Sequence, residues 1–389
     1  MSSDGPMKGA FVMQRLLVSM GAVMVVFSLA VPVTASAQTP VASPVAGGWQ
    51  VSDVREISVD GEPIALSPDG KWLAGIAEAD TDEGATQVCA WDVETLTPTC
   101  ALVPEPVEPF LGGAALSWAP DSSAFAFVSG SLRRLIPGNV YVLDVASGEL
   151  GSLTASVGAD HGQIFIGADW TDDSAQVVFG VLRGLDADSP PDDVFRVDRN
   201  GGEPARVPLP EWSEPYDILF PPVVADGAIT FAVMSDSDIG GIWRVGLDGT
   251  NPRHLVTGGD VVRPFVASMS PDGRYINVVS LPGFQMARAE GTFFLLDTET
   301  TALRSLMSAD GLNLVAFGPD GATGLMAREI DGENRLVTLD LATAEVTPVA
   351  NSHAVDTWLK YIPVWADNDT VFLPGGEGGG TLVTLEPTS

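Results

Sequence analysis

The sequence predicts an all-β fold, a seven-bladed β-propeller built from four-stranded antiparallel blades. Three observations predict it: a Pro-Asp-Gly-type turn that recurs along the chain, a second acidic turn that follows each copy, and apolar alternation with a period of two around both. Repeats of roughly 40 to 50 residues that cannot bury their own faces are typical of blades stacked around an axis.

The first turn stands in IALSPDGKWLAGIA, Ile64 to Ala77, where Ser-Pro-Asp-Gly interrupts an apolar alternation that then resumes. Pro presets φ, Asp bonds its own backbone and Gly accepts a positive φ, so this segment joins two strands. The positions equivalent to Pro68 in the later copies are Pro120, Asp172, Ala225, Pro271, Pro319 and Ala366. Successive positions are 52, 52, 53, 46, 48 and 47 residues apart, which defines seven units.

A second turn, with an acid or Gly before a short polar segment, ends the third strand of each unit. Its copies are AWDVET, VLDVASGE, FRVDRNGGE, WRVGLDGT, LLDTET, TLDLATAE and TLEPTS. Each unit is therefore strand, tight turn, strand, variable loop, strand, tight turn, strand. That order is an antiparallel meander.

The seventh unit lacks a fourth strand, because only Pro387, Thr388 and Ser389 follow Glu386. The segment VSDVREISVDG, which precedes the first unit, has the alternation of such a strand. We expect it to complete the last blade, since this would close the ring and pair an exposed edge.

The Ser-Pro-Asp-Gly turn, the strand and loop after it, and the aliphatic-aliphatic-Asp turn resemble the WD40-like (PD40) repeat of TolB-type β-propellers, over residues 51–389. The resemblance implies the propeller fold. It also implies a role as a periplasmic interaction protein, as a gating domain of a peptidase or, occasionally, as an enzyme. We expect seven blades where TolB has six, and no separate amino-terminal α/β domain.

The amino terminus has the pattern of an export signal. Two cationic residues precede the apolar run LLVSMGAVMVVFSLAVPV, and Ala35-Ser36-Ala37 matches a small-x-small cleavage site. We expect residues 1–37 to be removed, residues 38–50 to form a Pro/Ala/Gly-rich spacer, and residues 51–389 to form one propeller domain. An uncleaved membrane anchor is the alternative, although the run is near the short limit for a bilayer span. The expected location is secreted, periplasmic or on the envelope exterior, without membrane insertion after cleavage.

The chain is strongly acidic, with a formal net charge of −32, and cleavage after residue 37 leaves about −33. Such a charge repels nucleic-acid phosphates and anionic lipid, which excludes both as expected partners. We expect a monomer whose partner is a protein or peptide, with a cationic one favoured over an anionic one. The alternative is that the acids only keep an exported protein soluble.

In such a meander the two tight turns of each unit share one face of the ring, the tight-turn face. The loops between second and third strands and the connections between units share the other, the variable-loop face. Function on a rigid scaffold is usually carried by such loops, so we expect a non-enzymatic scaffold that binds a protein, a peptide or an envelope component there. The candidate binding residues are Asp160, His161, Trp212, Tyr216, Asp217, His353, Asp356 and Trp358.

The alternative function is a metal-assisted, lactonase-like hydrolase with a site at the channel mouth. Its catalytic groups could come from the five acids and histidines among the candidates, which are Asp160, His161, Asp217, His353 and Asp356. No G-x-S-x-G motif is present, and His161, His254 and His353 are not within metal-ligand spacing of one another, so no catalytic or metal-binding residue is assigned. Calcium is the one cofactor considered, in the acidic loops 80–84 and 186–193, although neither matches the twelve-residue calcium loop and solvated acidic loops are the alternative.

The sequence contains two cysteines, at positions that mirror one another about a tight turn. Cys89 falls in the third strand of the first unit and Cys100 in its fourth strand. We predict that they face one another and form a disulfide, which an exported protein permits. The alternative is a pair of buried free thiols.

Overall fold

The structure, a computed structural model, describes residues 48–79, 86–107, 116–131, 136–157, 164–182, 193–211, 218–219, 222–235, 237–258, 261, 264–280, 292–308, 315–352, 363–366, 369–376 and 378–388. Within these ranges every regular element is a β-strand, and the strands form seven antiparallel sheets. The predicted seven-bladed, all-β propeller is thereby confirmed. The described part of the chain contains no helix with the length and apolar character of a membrane span.

Blades 1 to 6 follow the chain, and blade 7 combines its carboxy-terminal strands with β1 (Trp49–Ser58). The first strands of neighbouring blades contact one another in order around the ring, so they are the innermost strands. The other strands are, in blade 1, β2 (Glu62–Leu66), β3 (Trp72–Glu78), β4 (Thr86–Asp92) and β5 (Pro98–Leu102); in blade 2, β6 (Ser117–Trp118), β7 (Ala124–Val128), β8 (Val140–Asp144) and β9 (Leu150–Ser152); in blade 3, β10 (Ile164–Trp170), β11 (Gln176–Leu182), β12 (Asp193–Asp198) and β13 (Ala205–Arg206); in blade 4, β14 (Ile218–Leu219), β15 (Val223–Ala225), β16 (Ala228–Met234), β17 (Gly241–Gly246) and β18 (Arg253–Thr257); in blade 5, β19 (Pro264–Met269), β20 (Tyr275–Ser280), β21 (Thr292–Asp297) and β22 (Leu303–Ser308); in blade 6, β23 (Ala316–Phe317), β24 (Thr323–Ile330), β25 (Glu333–Asp340) and β26 (Val346–Pro348); and in blade 7, β27 (Val364–Trp365), β28 (Thr370–Gly376) and β29 (Gly379–Pro387).

Blade 4 departs from the four-stranded plan, because two short strands, β14 and β15, both pair with β16. Two consecutive prolines, Pro221 and Pro222, lie between them in the sequence. Proline cannot donate to a strand ladder, which explains why the inner strand of this blade is divided at this point.

The amino-terminal strand closes the ring as predicted. β1 pairs antiparallel with β29, from Trp49 opposite Pro387 to Ser58 opposite Gly379. The Trp49 ring also packs edge-on against Trp365, with centroids 5.6 Å apart, and a short parallel bridge joins the start of β1 to Ala350 at the end of blade 6. The first strand of the chain therefore contacts blades 6 and 7 together.

The core lies between blades, and the alternation of the second strands explains it. In β7, AFAFV, Phe125 and Phe127 pack in the apolar cluster between blades 1 and 2. Ala124 and Ala126 face the cluster between blades 2 and 3. Successive side chains of a strand point to opposite faces, so one strand contributes to two interfaces. Similar clusters fill the other interfaces around the ring.

The recurring turn also joins one blade to the next. Gly70, with φ 73°, occupies a position at which blades 2 and 3 have Ser122 and Ser174, with φ 59° and 58°. A positive φ is costly for a residue with a side chain. Here the two serine hydroxyls accept hydrogen bonds, each 3.1 Å long, from the backbone N–H groups of Asp69 and Asp121 in the preceding blade. These bonds offset the backbone cost and fix the spacing of blades 1 to 3.

The predicted disulfide is present. Cys89 in β4 and Cys100 in β5 are directly opposite one another in the strand ladder, and their sulfurs are bonded. The bond closes a loop with a sequence separation of 11, for which the chain-entropy model gives a stabilisation of about 2 to 3 kcal/mol. It therefore fastens the outer edge strand of blade 1 to the blade.

Candidate functional site

All eight candidate binding residues predicted from the sequence lie outside the described residues. These are Asp160, His161, Trp212, Tyr216, Asp217, His353, Asp356 and Trp358. The calcium prediction also falls mostly outside, since loop 80–84 and residues 186–192 are not described. Within the described ranges no three His, Cys, Asp or Glu side chains are grouped so as to hold a metal ion. The predictions for these residues stay predictions.

His254 is the one described histidine, and it lies away from the channel on β18, the outer strand of blade 4. Its ring stacks on Trp243 with centroids 4.3 Å apart and an angle of 6° between the planes. Its Nε2 atom lies 3.1 Å from the carbonyl oxygen of Gly240. These contacts give His254 a structural role in the outer part of the blade.

Asp193, the last residue of the second acidic loop, is buried and ion-paired. Its Oδ1 atom lies 2.6 Å from the Nη2 atom of Arg206 and 2.7 Å from its Nε atom. The carboxylate therefore forms an ion pair with a guanidinium group, and this pair joins β12 to the outer strand β13.

The variable-loop face carries a carboxylate fixed by three neutral donors. Glu105 lies in the connection from blade 1 to blade 2, and its side chain is partly exposed. Its Oε2 atom accepts hydrogen bonds from the hydroxyls of Tyr141 (2.8 Å) and Ser129 (3.0 Å), and its Oε1 atom accepts one from the side-chain amide of Asn139 (2.7 Å). The three donors are themselves buried, with 3 to 7% of each residue exposed. Together they hold the carboxylate in one orientation.

Further bonds orient the donors. The Thr154 hydroxyl, which is fully buried, donates to Oδ1 of Asn139 (3.1 Å) and thereby turns the Asn139 amide nitrogen toward Glu105. Burial and then the bond to Glu105 raise the pKa of Tyr141, so its hydroxyl keeps the proton that it donates. The network thus links Thr154, in the connection after blade 2, to Glu105, in the connection before blade 2.

The backbone around Glu105 is fixed as well. Val103 and Val107, on either side of it, are each 5% exposed. The backbone N–H of Gly130 donates to the carbonyl oxygen of Pro106 (2.7 Å), and a parallel bridge joins Val107 to Gly130. Two flanking prolines restrict φ on both sides of the glutamate. The carboxylate therefore stands on a segment with little freedom.

A second acid, Asp169, lies in the inner strand β10 and is buried. Its carboxylate accepts hydrogen bonds from the Ser117 hydroxyl of blade 2 (2.6 Å) and from the backbone N–H of Val224 in blade 4 (2.7 Å). The backbone N–H of Trp170 donates a third at 2.9 Å. Burial raises the pKa of Asp169 to about 7, against the opposing effect of these donors. One carboxylate therefore joins the inner strands of three blades.

Neither acid belongs to the repeat pattern of the sequence, although each has a signal in the residues around it. Glu105 is the centre of Pro-Glu-Pro directly after a fourth strand, and Asp169 is an acid inside an otherwise apolar inner strand, IFIGADW. Apart from the N–H of Trp170, which bonds to Asp169, their partners lie 24 to 55 residues away in the sequence. A repeat pattern does not specify such pairs.

No protein-family model matches the sequence, and no curated protein matches it either. Among solved structures, an oligogalacturonate lyase in complex with manganese is similar over 91% of this chain and 98% of that chain, with 17% identity and a TM-score of 0.54. The β-propeller domain of the Trilobed protease from Pyrococcus furiosus is similar over 81% and 90%, with 13% identity and a TM-score of 0.51. TolB from Acinetobacter baumannii is similar over 82% and 66%, with 14% identity and a TM-score of 0.46. At these identities the first two similarities show the propeller fold alone.

Proposed function

We propose that this protein is an exported propeller of the TolB-type repeat class that binds a cationic protein or peptide on its variable-loop face. It acts as a scaffold and carries out no chemistry of its own. The disulfide between Cys89 and Cys100 supports export, because such bonds persist in oxidising compartments. The placement of the described arginines is the observation that supports the choice of partner.

Five arginines are used as clamps between blades at the tight-turn face. Arg253 of blade 4 donates to the carbonyl oxygen of Thr298 in blade 5 (2.9 Å), and Arg304 of blade 5 donates to that of Ala342 in blade 6. Arg55 and Arg244 likewise donate to a carbonyl oxygen in a tight turn of a neighbouring blade, whereas Arg199 of blade 3 is ion-paired with Asp121 in a tight turn of blade 2 at 3.1 Å. Each contact satisfies a polar group of a turn and holds an arginine at the tight-turn face of the ring.

The described part of the variable-loop face keeps mainly acids. By position relative to the strands they are Asp60, Glu62, Glu78, Glu105, Asp193, Glu211, Asp238, Asp331 and Glu333. Three of the described arginines, Arg206, Arg328 and Arg335, lie near this face, and Arg206 and Arg335 are ion-paired with acids. Carboxylates around the mouth of a low-dielectric ring concentrate cations, so the charge distribution favours a Lys- or Arg-bearing partner.

A salt series tests the proposed function. We expect a labelled Lys/Arg-rich peptide to bind with an affinity that falls by about tenfold or more between roughly 0.05 and 0.5 M salt, because exposed charges are screened over shorter distances as salt rises. A peptide with Glu at the same positions should not bind. An unrelated protein of similar net charge is the control for non-specific attraction. Salt-independent affinity, or equal binding of the acidic peptide, would contradict the proposal.

The alternative function is a metal-assisted, lactonase-like hydrolase. It is supported by the similarity to an oligogalacturonate lyase over 98% of that chain, since a propeller of this size can by itself constitute an enzyme. Assays of lactones and oligogalacturonates with added Mn²⁺ or Ca²⁺ test it. Metal-dependent turnover that is lost in His353→Ala would favour the alternative over the scaffold.

A further inference from the structure

Glu105 is a carboxylate held in place by neutral donors, with an acceptor position still open. A carboxylate offers about four acceptor positions. In Glu105 three of them are filled, two on Oε2 by Tyr141 and Ser129 and one on Oε1 by Asn139. One position on Oε1 is left for a further donor, and the residue is partly exposed.

The three bonds fix the charge without neutralising it. Tyr141, Ser129 and Asn139 are neutral donors, and in the described ranges no Lys, Arg or His lies within ion-pair distance of Glu105. A partly buried carboxylate without a cation gains most from a ligand that brings one, because the lower local dielectric strengthens the pair. By contrast, Glu333 on the same face is already paired with Arg335 at 2.8 Å.

We propose that Glu105 is the anchor residue for one guanidinium or ammonium group of the partner, an inference that rests on the proposed function. The geometry suits an N–H donor better than a metal ion, because Oε2 already accepts two hydrogen bonds, and among the described residues no group of three His, Cys, Asp or Glu side chains could hold a metal. A guanidinium or ammonium group donates one N–H to the open position on Oε1 and supplies the opposite charge.

The anchor is preorganised. The flanking valines are buried, the backbone of Pro106 is bonded to Gly130, and Asn139 is oriented by Thr154. A partner therefore meets a carboxylate that is already in place, so that little ordering is required on binding. Loss of this carboxylate should weaken binding more than loss of an equally charged group elsewhere on the face.

Glu105→Gln tests the anchor, with Glu333→Gln as the matched control on the same face. The probe is N-acetyl-Gly-Arg-Gly-Arg-Gly-amide, and its citrulline counterpart replaces each guanidinium with a neutral urea. We expect Glu105→Gln to weaken binding of the arginine peptide about tenfold and Glu333→Gln to weaken it less than about twofold. The citrulline peptide should bind weakly to all three proteins. Equal losses in the two variants, or no loss in Glu105→Gln, would overturn the anchor.

A measurement on the unsubstituted protein covers the case in which Glu105→Gln disturbs the fold. Carbodiimide coupling of the lysine form of the peptide should join its amine to Glu105 more than to any other acid of the face. Coupling spread over the face without Glu105 would overturn the anchor. If cationic peptides bind in the salt series but neither test singles out Glu105, the proposed function stands and the anchor is wrong. If no cationic peptide binds, both fail.

Discussion

Asp169→Ala is expected to lower the free energy of unfolding by about 3 kcal/mol or more. The substitution removes the acceptor for the Ser117 hydroxyl and for the Val224 N–H, and each buried donor left without a partner costs about 1 to 3 kcal/mol. Chemical denaturation followed by tryptophan fluorescence measures the loss. Asp172→Asn is the matched control, because Asp172 is exposed and also bonds to blade 4, through the N–H of Gly227 at 2.8 Å. It should change stability by less than about 1 kcal/mol.

The same carboxyl group predicts a pH dependence with a definite sign. Burial raises the pKa of Asp169 from 3.8 to about 7 in the folded protein. Between these values the folded state binds the proton more tightly than the unfolded state, so this contribution to stability is complete below pH 3.8 and is lost as pH rises through 7. The loss amounts to at most about 4 kcal/mol. Of the three donors, only the Ser117 hydroxyl can also act as an acceptor, because the other two are backbone N–H groups.

Asp169→Asn removes the titration and isolates the effect from other acids. As pH rises from about 4 to 7.5, the unsubstituted protein should lose stability relative to this variant. A difference that does not change with pH would show that Asp169 has an ordinary pKa in the folded ring. If Asp169→Ala unfolds at the same denaturant concentration as the unsubstituted protein, Asp169 does not join blades 2, 3 and 4.

Removal of β1 is expected to have the second large effect. A chain that begins at residue 61 lacks the strand that pairs with β29 and the Trp49 contact with Trp365, so the last blade keeps an unpaired edge. Loss of several ladder hydrogen bonds at about 1 kcal/mol each should lower the melting temperature by about 10 °C or more.

A chain that begins at Gly48 is the control for this truncation. It keeps all of β1, and the Gly48 carbonyl oxygen that accepts a hydrogen bond from the Thr388 N–H at 2.7 Å. Its melting temperature should equal that of the chain that begins at residue 38. If the chain beginning at residue 61 also melts at that temperature, the ring does not depend on closure by the amino-terminal strand.

The propeller architecture could be predicted from the sequence because each repeat contains its own turn residues and strand alternation. The Asp of the first turn accepts the N–H two residues later in blades 1 and 5, as the turn pattern implies. The missing fourth strand of unit seven predicted closure by β1, and the mirrored positions of Cys89 and Cys100 predicted their bond. These features depend on turns and alternation within single units.

Contacts between blades could not be predicted in the same way. The bonds from Asp169 to Ser117 and Val224 connect residues about one repeat apart, and only the stacking of the blades brings them together. Glu105 likewise depends on donors from the next blade. The division of the inner strand of blade 4 into β14 and β15 follows from two prolines that the repeat pattern passed over. The eight candidate residues of the loops stay predictions, because they lie outside the described residues.

Hydrogen–deuterium exchange with and without the arginine peptide tests binding at the variable-loop face most directly. We expect slower exchange in residues 103–107 and 129–131, which surround Glu105, and unchanged exchange in tight turns such as residues 93–97. Protection confined to the tight-turn face, or no protection at a peptide concentration that saturates binding, would contradict the account.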